Sequence, residues 1–349
     1  MTTTAIVGAR VFDGRRLLDG PTTVVLDDDR HEIVAVGPHH PPLEAALVEA
    51  PGCTLLPGLI DAHVHLGGAA DLAALAAFGV TTALDMGCWP ASLISELAGM
   101  SGLPDFRTAG APGVAPDDRH ARLAGFPADA VIASSSDAHG FVEARAVEGA
   151  DYVAVVTNRP DQPSLGAAEI AAVVEAAHAR GLMVVARVAG VRGLEACLDA
   201  GVDVLTQLPR AVAPSPELVA RAAETVQVPA LSALAADPAA LALGMGAVRA
   251  LHEAGAPLLA GTDANSIPGV RAHLPHGSSL HDELALLVEC GLTPVQALRA
   301  ATRAPARAFG LADRGRVKPG LRSDLLLVDG DPTQDIAATR AIRRVWLAG

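Results

Sequence analysis

The hydrophobic and polar positions divide the chain into three stretches. In residues 1–57, short apolar runs at Ala5–Val7, Thr22–Leu26, Ile33–Val36 and Thr54–Leu56 are separated by Gly, Pro and Asp turns, which predicts short β-strands. The middle alternates longer apolar runs with Ala-rich amphipathic runs. Eight strands are predicted there, at 59–65, 80–86, 105–110, 151–157, 182–188, 202–208, 227–233 and 257–263. Between most of them lies a helical run such as Ala167–Arg180, with Gly181 placed to end it. The last stretch returns to strands at Ser323–Val328, closed by the turn Asp329-Gly330-Asp331-Pro332, and at Ile342–Leu347. Continuously apolar strands are expected in a parallel sheet covered on both faces. Eight strand–helix units in roughly 250 residues is the size of a (β/α)8 TIM barrel. The predicted fold class is therefore α/β: a barrel over 58–312, with a small β-sandwich domain built from both termini, 1–57 plus 313–349.

Composition narrows the function classes. The chain has 349 residues, half of them hydrophobic, so a large core is available, and aromatics at 3% leave that core to Ala, Val and Leu. The net charge of −13 disfavours nucleic acid and anionic membranes as partners. The four cysteines, Cys53, Cys88, Cys197 and Cys290, show no metal-type spacing and are expected to be reduced, as in a cytoplasmic enzyme. No signal peptide and no apolar run of transmembrane length is read. The richness in Ala, Gly and Arg fits a GC-rich bacterial genome. A small-molecule substrate is expected, and homo-oligomerisation is left open.

In a parallel barrel the chemistry sits at the C-terminal strand ends. His63, His65, Arg187, Gln207 and Asp263 all fall there. His63 and His65 are two apart on one strand, so both point to one face and could chelate a cation. They could also be two satisfied lining histidines. Asp263 ends a wholly apolar strand and could ligate metal or take a proton from water, or merely cap a following helix. Arg187 could grip a substrate carboxylate or hold Asp263, or be a structural ion pair. Gln207 can hydrogen-bond a substrate but is a poor metal ligand. Trp89 could wall the pocket or belong to the core. His273, His276 and His281 follow the last strand; one of them, with His276 taken as a substrate contact, could reach the site from a lid over Pro268–Ser279. His120 and His139 could supply a ligand or an acid, or be solvated loop residues, and His178 is expected to be structural.

The string Leu55-Leu56-Pro57-Gly58-Leu59-Ile60-Asp61-Ala62-His63-Val64-His65 with Gly261-Thr262-Asp263 resembles the amidohydrolase superfamily, in particular its imidazolonepropionase-like and prolidase-like members. Glu283–Pro294, Ala297–Thr302, Pro305-Ala306-Arg307, Gly315–Gly320 and Ser323-Asp324-Leu325 extend the resemblance over nearly the whole chain. The resemblance implies a metal-dependent hydrolase with His63, His65 and Asp263 as metal ligands. It also implies a bridging lysine and two later histidines, where this chain has Ala154, Arg187 and Gln207. Three readings follow. The first is a hydrolase of an amide or cyclic amide C–N bond with at most one ion, Zn2+ foremost, using Asp263, His63, His65 and Arg187. The second is a metal-free lyase, isomerase, dehydratase or cyclase using His/Asp acid–base chemistry and Arg187. The third is a non-catalytic small-molecule-binding protein.

Overall fold

The computed structural model describes residues 2–20, 22–158, 161–207, 209, 213–267 and 273–348. Six strands open the chain: β1 (Thr3–Val7), β2 (Arg10–Val11), β3 (Thr23–Asp27), β4 (Glu32–Gly37), β5 (Ala46–Glu49) and β6 (Cys53–Pro57). The middle follows as β7 (Leu59–His65), α1 (Ala69–Ala77), β8 (Val80–Asp85), α2 (Ala91–Ala98), β9 (Asp105–Thr108), α3 (Ala138–Val147), β10 (Val153–Val156) and α4 (Ala167–His178). It continues with β11 (Val184–Arg187), α5 (Val191–Ala200), β12 (Val204–Thr206), α6 (Pro216–Ala222), β13 (Val226–Val228), α7 (Pro238–Glu253) and β14 (Ala264–Asn265). Helices α8 (Ser278–Glu289), α9 (Pro294–Ala300) and α10 (Arg303–Ala308) lead to β15 (Leu325–Asp329) and β16 (Ile342–Trp346).

The result is an α/β fold. Two parallel four-stranded sheets, β14-β7-β8-β9 and β10-β11-β12-β13, form its centre. Gly113 pairs in parallel with Val155 of β10, which ties the sheets on one side. On the other, Gln227 of β13 pairs with Leu258, and Ala62 N donates to Ala260 O at 2.9 Å. β8 and β10 are buried along their whole length, as two-sided packing under helices requires. Helix α4 shows how the covering layer forms. Ile170, Val173, Val174 and Ala177 make one buried stripe at helical spacing, and the Glu169 carboxylate accepts from Gly166 N at its start. The helix ends at His178, two residues short of the expected Arg180, and Gly181, at φ 71°, turns the chain away.

Two predicted strands take a different form. β13 stops at Val228 rather than at 233, because Ala230 adopts φ 51° and Leu231–Leu234 wind into a 3-10 turn. The Glu283 carboxylate accepts the Leu231 and Ser232 N–H groups at 3.0 and 2.7 Å and holds that turn. The segment 257–263 follows its neighbours through single bonds, and a ladder forms only at β14. Thr262 N and Asp263 N both reach the His63 carbonyl, and Asp263 has φ 61°, so the regular register is lost.

Both chain ends supply two further sheets, ordered β4-β3-β1-β5 and β16-β15-β6-β2. An apolar cluster including Ile6, Leu26, Ile33, Leu55 and Leu325 packs them together. Gly58 alone separates β6 from β7, so the terminal sheets lead directly into the strand carrying the two histidines.

Candidate functional site

β7 delivers His63 and His65 from successive same-face positions. The His63 ring is buried, and its Nδ1 bonds the hydroxyl of Thr206 at the end of β12. With Nδ1 engaged there, His63 turns Nε2 into the site. It lies 3.3 Å from His65 Nε2 and 3.2 Å from Asp263 Oδ1, and His65 Nε2 is 3.1 Å from the same oxygen. The second carboxylate oxygen of Asp263 accepts from Gln207 Nε2 at 2.6 Å. Gln207 and Asp263 share a left-handed backbone, both at φ 61°, which turns each strand end so that the two side chains meet.

Two buried carboxylates brace this cluster. Asp61 accepts from His63 N, from Thr262 N and, at 2.8 Å, from the Thr262 hydroxyl. Asp85 accepts from Leu66 N and Gly87 N and from the Thr108 hydroxyl. Burial pushes Asp61 up to about 7 and Asp85 up to about 6, against the lowering by those hydrogen bonds. In the cluster, burial alone would raise Asp263, but the hydrogen bonds and charges of His63 and His65 overcome it and hold the carboxyl well below its ordinary range. Burial lowers His63. The same burial acts on His65, but there Asp263 outweighs it and the net direction is upward. Among the described residues, His63, His65 and Asp263 form the group of His, Cys, Asp or Glu whose ligand atoms converge closely enough for a metal ion. His65 Nδ1 is buried without a hydrogen-bond partner there.

The cluster opens into a cavity of about 180 Å3. Arg187, at the end of β11, lines it, as do Trp89 and Ala154 of β10. Trp89 stacks edge-on against Phe126, with centroids 5.3 Å apart. Gln207 touches the site through Asp263. His276 is turned away from the cavity: its Nε2 bonds the His65 carbonyl at 3.1 Å and its Nδ1 faces Asp71. His273 bonds the Asn265 carbonyl, and His281 is buried between Thr339 and the Phe78 carbonyl. His139 is exposed on α3, and His178 pairs with Asp203. Residues 268–272 of the expected lid lie outside the described residues.

Three contributors carry no periodic signal in the sequence. Thr206 holds His63 Nδ1. Arg119 and His120 line the cavity, and His120 Nδ1 bonds the buried Asp118 at 2.6 Å, whose other oxygen takes the Asn158 amide. The cluster Asp117-Asp118-Arg119-His120 in one loop is the only hint of this arrangement.

Residues 54–349 match the amidohydrolase family. An imidazolonepropionase of Deinococcus deserti is 42% identical over 107 residues, 29% of this chain and 25% of that protein, so the chain spans about a quarter of the length of that curated relative. Over their full lengths the likeness is one of shape. A crystal structure of a Xaa-Pro dipeptidase with bound methionine superposes with a TM-score of 0.85 at 22% identity, covering 99% of this chain and 98% of that one. Phenylurea hydrolase B gives 0.79 at 22%, covering 100% and 96%.

Proposed function

The chain belongs to the amidohydrolase family, and we propose that it hydrolyses a C–N bond, in an amide or cyclic amide, of a small molecule. The observation that carries this reading is the convergence of His63 Nε2, His65 Nε2 and Asp263 Oδ1 within 3.1–3.3 Å of one another. Three ligands each about 2.0–2.1 Å from one ion stand roughly 3.0–3.4 Å apart, so this donor set fits a single divalent ion, Zn2+ foremost. Ala154 offers no bridge to a second ion. The ion, when bound, polarises the scissile carbonyl and acidifies water.

The chain's own residues do the rest. Thr206 keeps the His63 tautomer that presents Nε2. Gln207 orients the Asp263 carboxylate, which takes the proton of the attacking water. Arg187 binds a substrate carboxylate or the developing oxyanion. Trp89 and its neighbours form the apolar wall against which the substrate rests. The two parallel sheets tied on both sides are read as one (β/α)8 barrel over 58–312, with 1–57 and 313–349 as the accessory β-sandwich.

A second reading is metal-independent acid–base catalysis at the same residues. It is favoured by Arg187, whose charge bears on both His63 and His65 and would repel a cation held between them. Metal analysis of purified protein by mass spectrometry, with His63→Ala and His65→Ala, decides between them. About one equivalent of ion, lost in both variants, supports the hydrolase. No ion after incubation with excess Zn2+ or Mn2+ overturns it, and a much larger activity loss in one variant than in the other then supports acid–base chemistry.

A further inference from the structure

The parallel strands have a second cleft at their other ends. It is lined by Val226, the first residue of β13, and by Pro257 and Leu259, whereas Thr206 and the site residues stand at the strands' finishing ends. This cleft measures about 460 Å3, larger than the cavity above Asp263. Arg299 from α9 and Arg303 and Arg307 from α10 line it.

Two turns bring further cations beside them. The Arg299 guanidinium donates to the Arg15 carbonyl, at 2.8 Å from Nε. Asp13 accepts from Arg15 N and Arg16 N, at 2.7 and 2.8 Å, and from Arg316 Nη2 at 3.0 Å. Gly315 packs so closely on α10 that a Cβ there would stand 2.7 Å from Ala306 Cβ and 2.8 Å from Thr302 O. Gly14 is pressed in turn on Gly315, with its own added Cβ 2.4 Å from the Gly315 carbonyl oxygen. The turn 13–16, the turn 314–316 and the α9–α10 corner are therefore held together, and each contributes arginine.

The charges do not balance locally. Arg316 pairs with Asp13, but among the described residues Arg15, Arg299, Arg303 and Arg307 have no carboxylate partner. Partial burial and the fields of Arg15, Arg316, Arg307 and Arg299 all lower the pKa of Arg303. This occurs in a chain whose net charge is −13. Like charges gathered in a cleft repel one another, and a multivalent anion turns that repulsion into attraction. Guanidinium groups suit the oxygens of phosphate, which they bind in pairs. The apolar wall of Val226, Pro257 and Leu259 leaves room beside the cations for an uncharged portion of a ligand.

We infer that this cleft is a binding site for a multivalent phosphate-type anion, a polyphosphate or phosphorylated small molecule, remote from the proposed hydrolytic site. The test is isothermal titration calorimetry with pyrophosphate, orthophosphate and chloride at matched ionic strength. Wild type is expected to bind about one pyrophosphate per chain, more tightly than orthophosphate. The double variant Arg303→Met/Arg307→Met is expected to bind it at least about tenfold more weakly, since each lost charged hydrogen bond is worth roughly a factor of ten. Methionine keeps the apolar stem, and a circular dichroism melt checks folding. If the double variant does not fold, the exposed Arg307→Met alone carries the comparison. No saturable heat, an effect of pyrophosphate no greater than that of chloride, or unchanged affinity in the variant overturns the inference. None of these outcomes bears on metal content or hydrolysis, so this site and the hydrolytic reading stand or fall separately.

Discussion

Replacing Thr206 with valine keeps the side chain's shape and removes the one group that holds His63 Nδ1. His63 is 1% exposed, so no water takes the hydroxyl's place. The imidazole then either leaves a buried N–H without an acceptor, at about 1–3 kcal/mol, or moves its proton to Nε2 and loses the lone pair that an ion would take. Loss of such an outer partner of a metal-binding histidine weakens metal affinity by about 10–100-fold, or roughly 1.4–2.8 kcal/mol. Both routes predict the same direction. Zn2+ affinity is measured by competition with a chromophoric chelator, beside a thermal melt of the metal-free protein. Thr206→Ser retains the hydroxyl and is expected to stay within about threefold of wild type, below the range for a lost outer partner. The reasoning is refuted if Thr206→Val binds Zn2+ as tightly as wild type while His63→Ala does not bind it.

Three further outcomes are expected. Burial pushes His281 down to about 4, below the ordinary 6.5, so between those values the unfolded chain takes up a proton that the folded chain refuses. Its stabilising contribution is whole above 6.5 and is lost as the pH falls; in urea unfolding, the advantage of wild type over His281→Gln should shrink by about 2 kcal/mol between pH 7 and pH 4.5. Arg145 is fully buried, with Nη2 2.9 Å from both Asp129 and Glu148, and those carboxylates are partly hydrated. Arg145→Met should therefore cost about 2–4 kcal/mol by denaturant titration, and an unchanged midpoint would count against a structural ion pair. A Cβ at Gly261 would stand 2.5 Å from Val228 Cγ1 and 2.7 Å from His63 N. Gly261→Ala should thus lower stability by about 1–3 kcal/mol in a thermal melt and weaken metal binding with it.

What could be read from the sequence depended on whether the signal was local. β7 runs over the predicted 59–65 and β8 ends one residue short of 86, because each follows a glycine and is built mainly from apolar and β-branched residues. The meeting of His63, His65 and Asp263 was legible because all three sit where apolar runs end. The Thr206 hydroxyl has no such marker, since its importance lies in which ring it touches. His276 shows the reverse: its place in a loop after the last strand suggested a pocket residue, and the fold turns it behind the His65 backbone instead. The shortened β13 depends on Glu283, more than fifty residues downstream, and no window of local periodicity contains that contact.

The pairing of β6 with β15 has a bearing on how the protein is made. β6 lies between β2 and β15, and β15 in turn carries β16. During synthesis, the strand that leads into His63 must wait until residues 325–346 have left the ribosome before its sheet is complete. Contacts of this sequence separation form late. A chain cut before Leu325 keeps His63, His65 and Asp263, yet the root of the strand that carries the two histidines is left with half its partners.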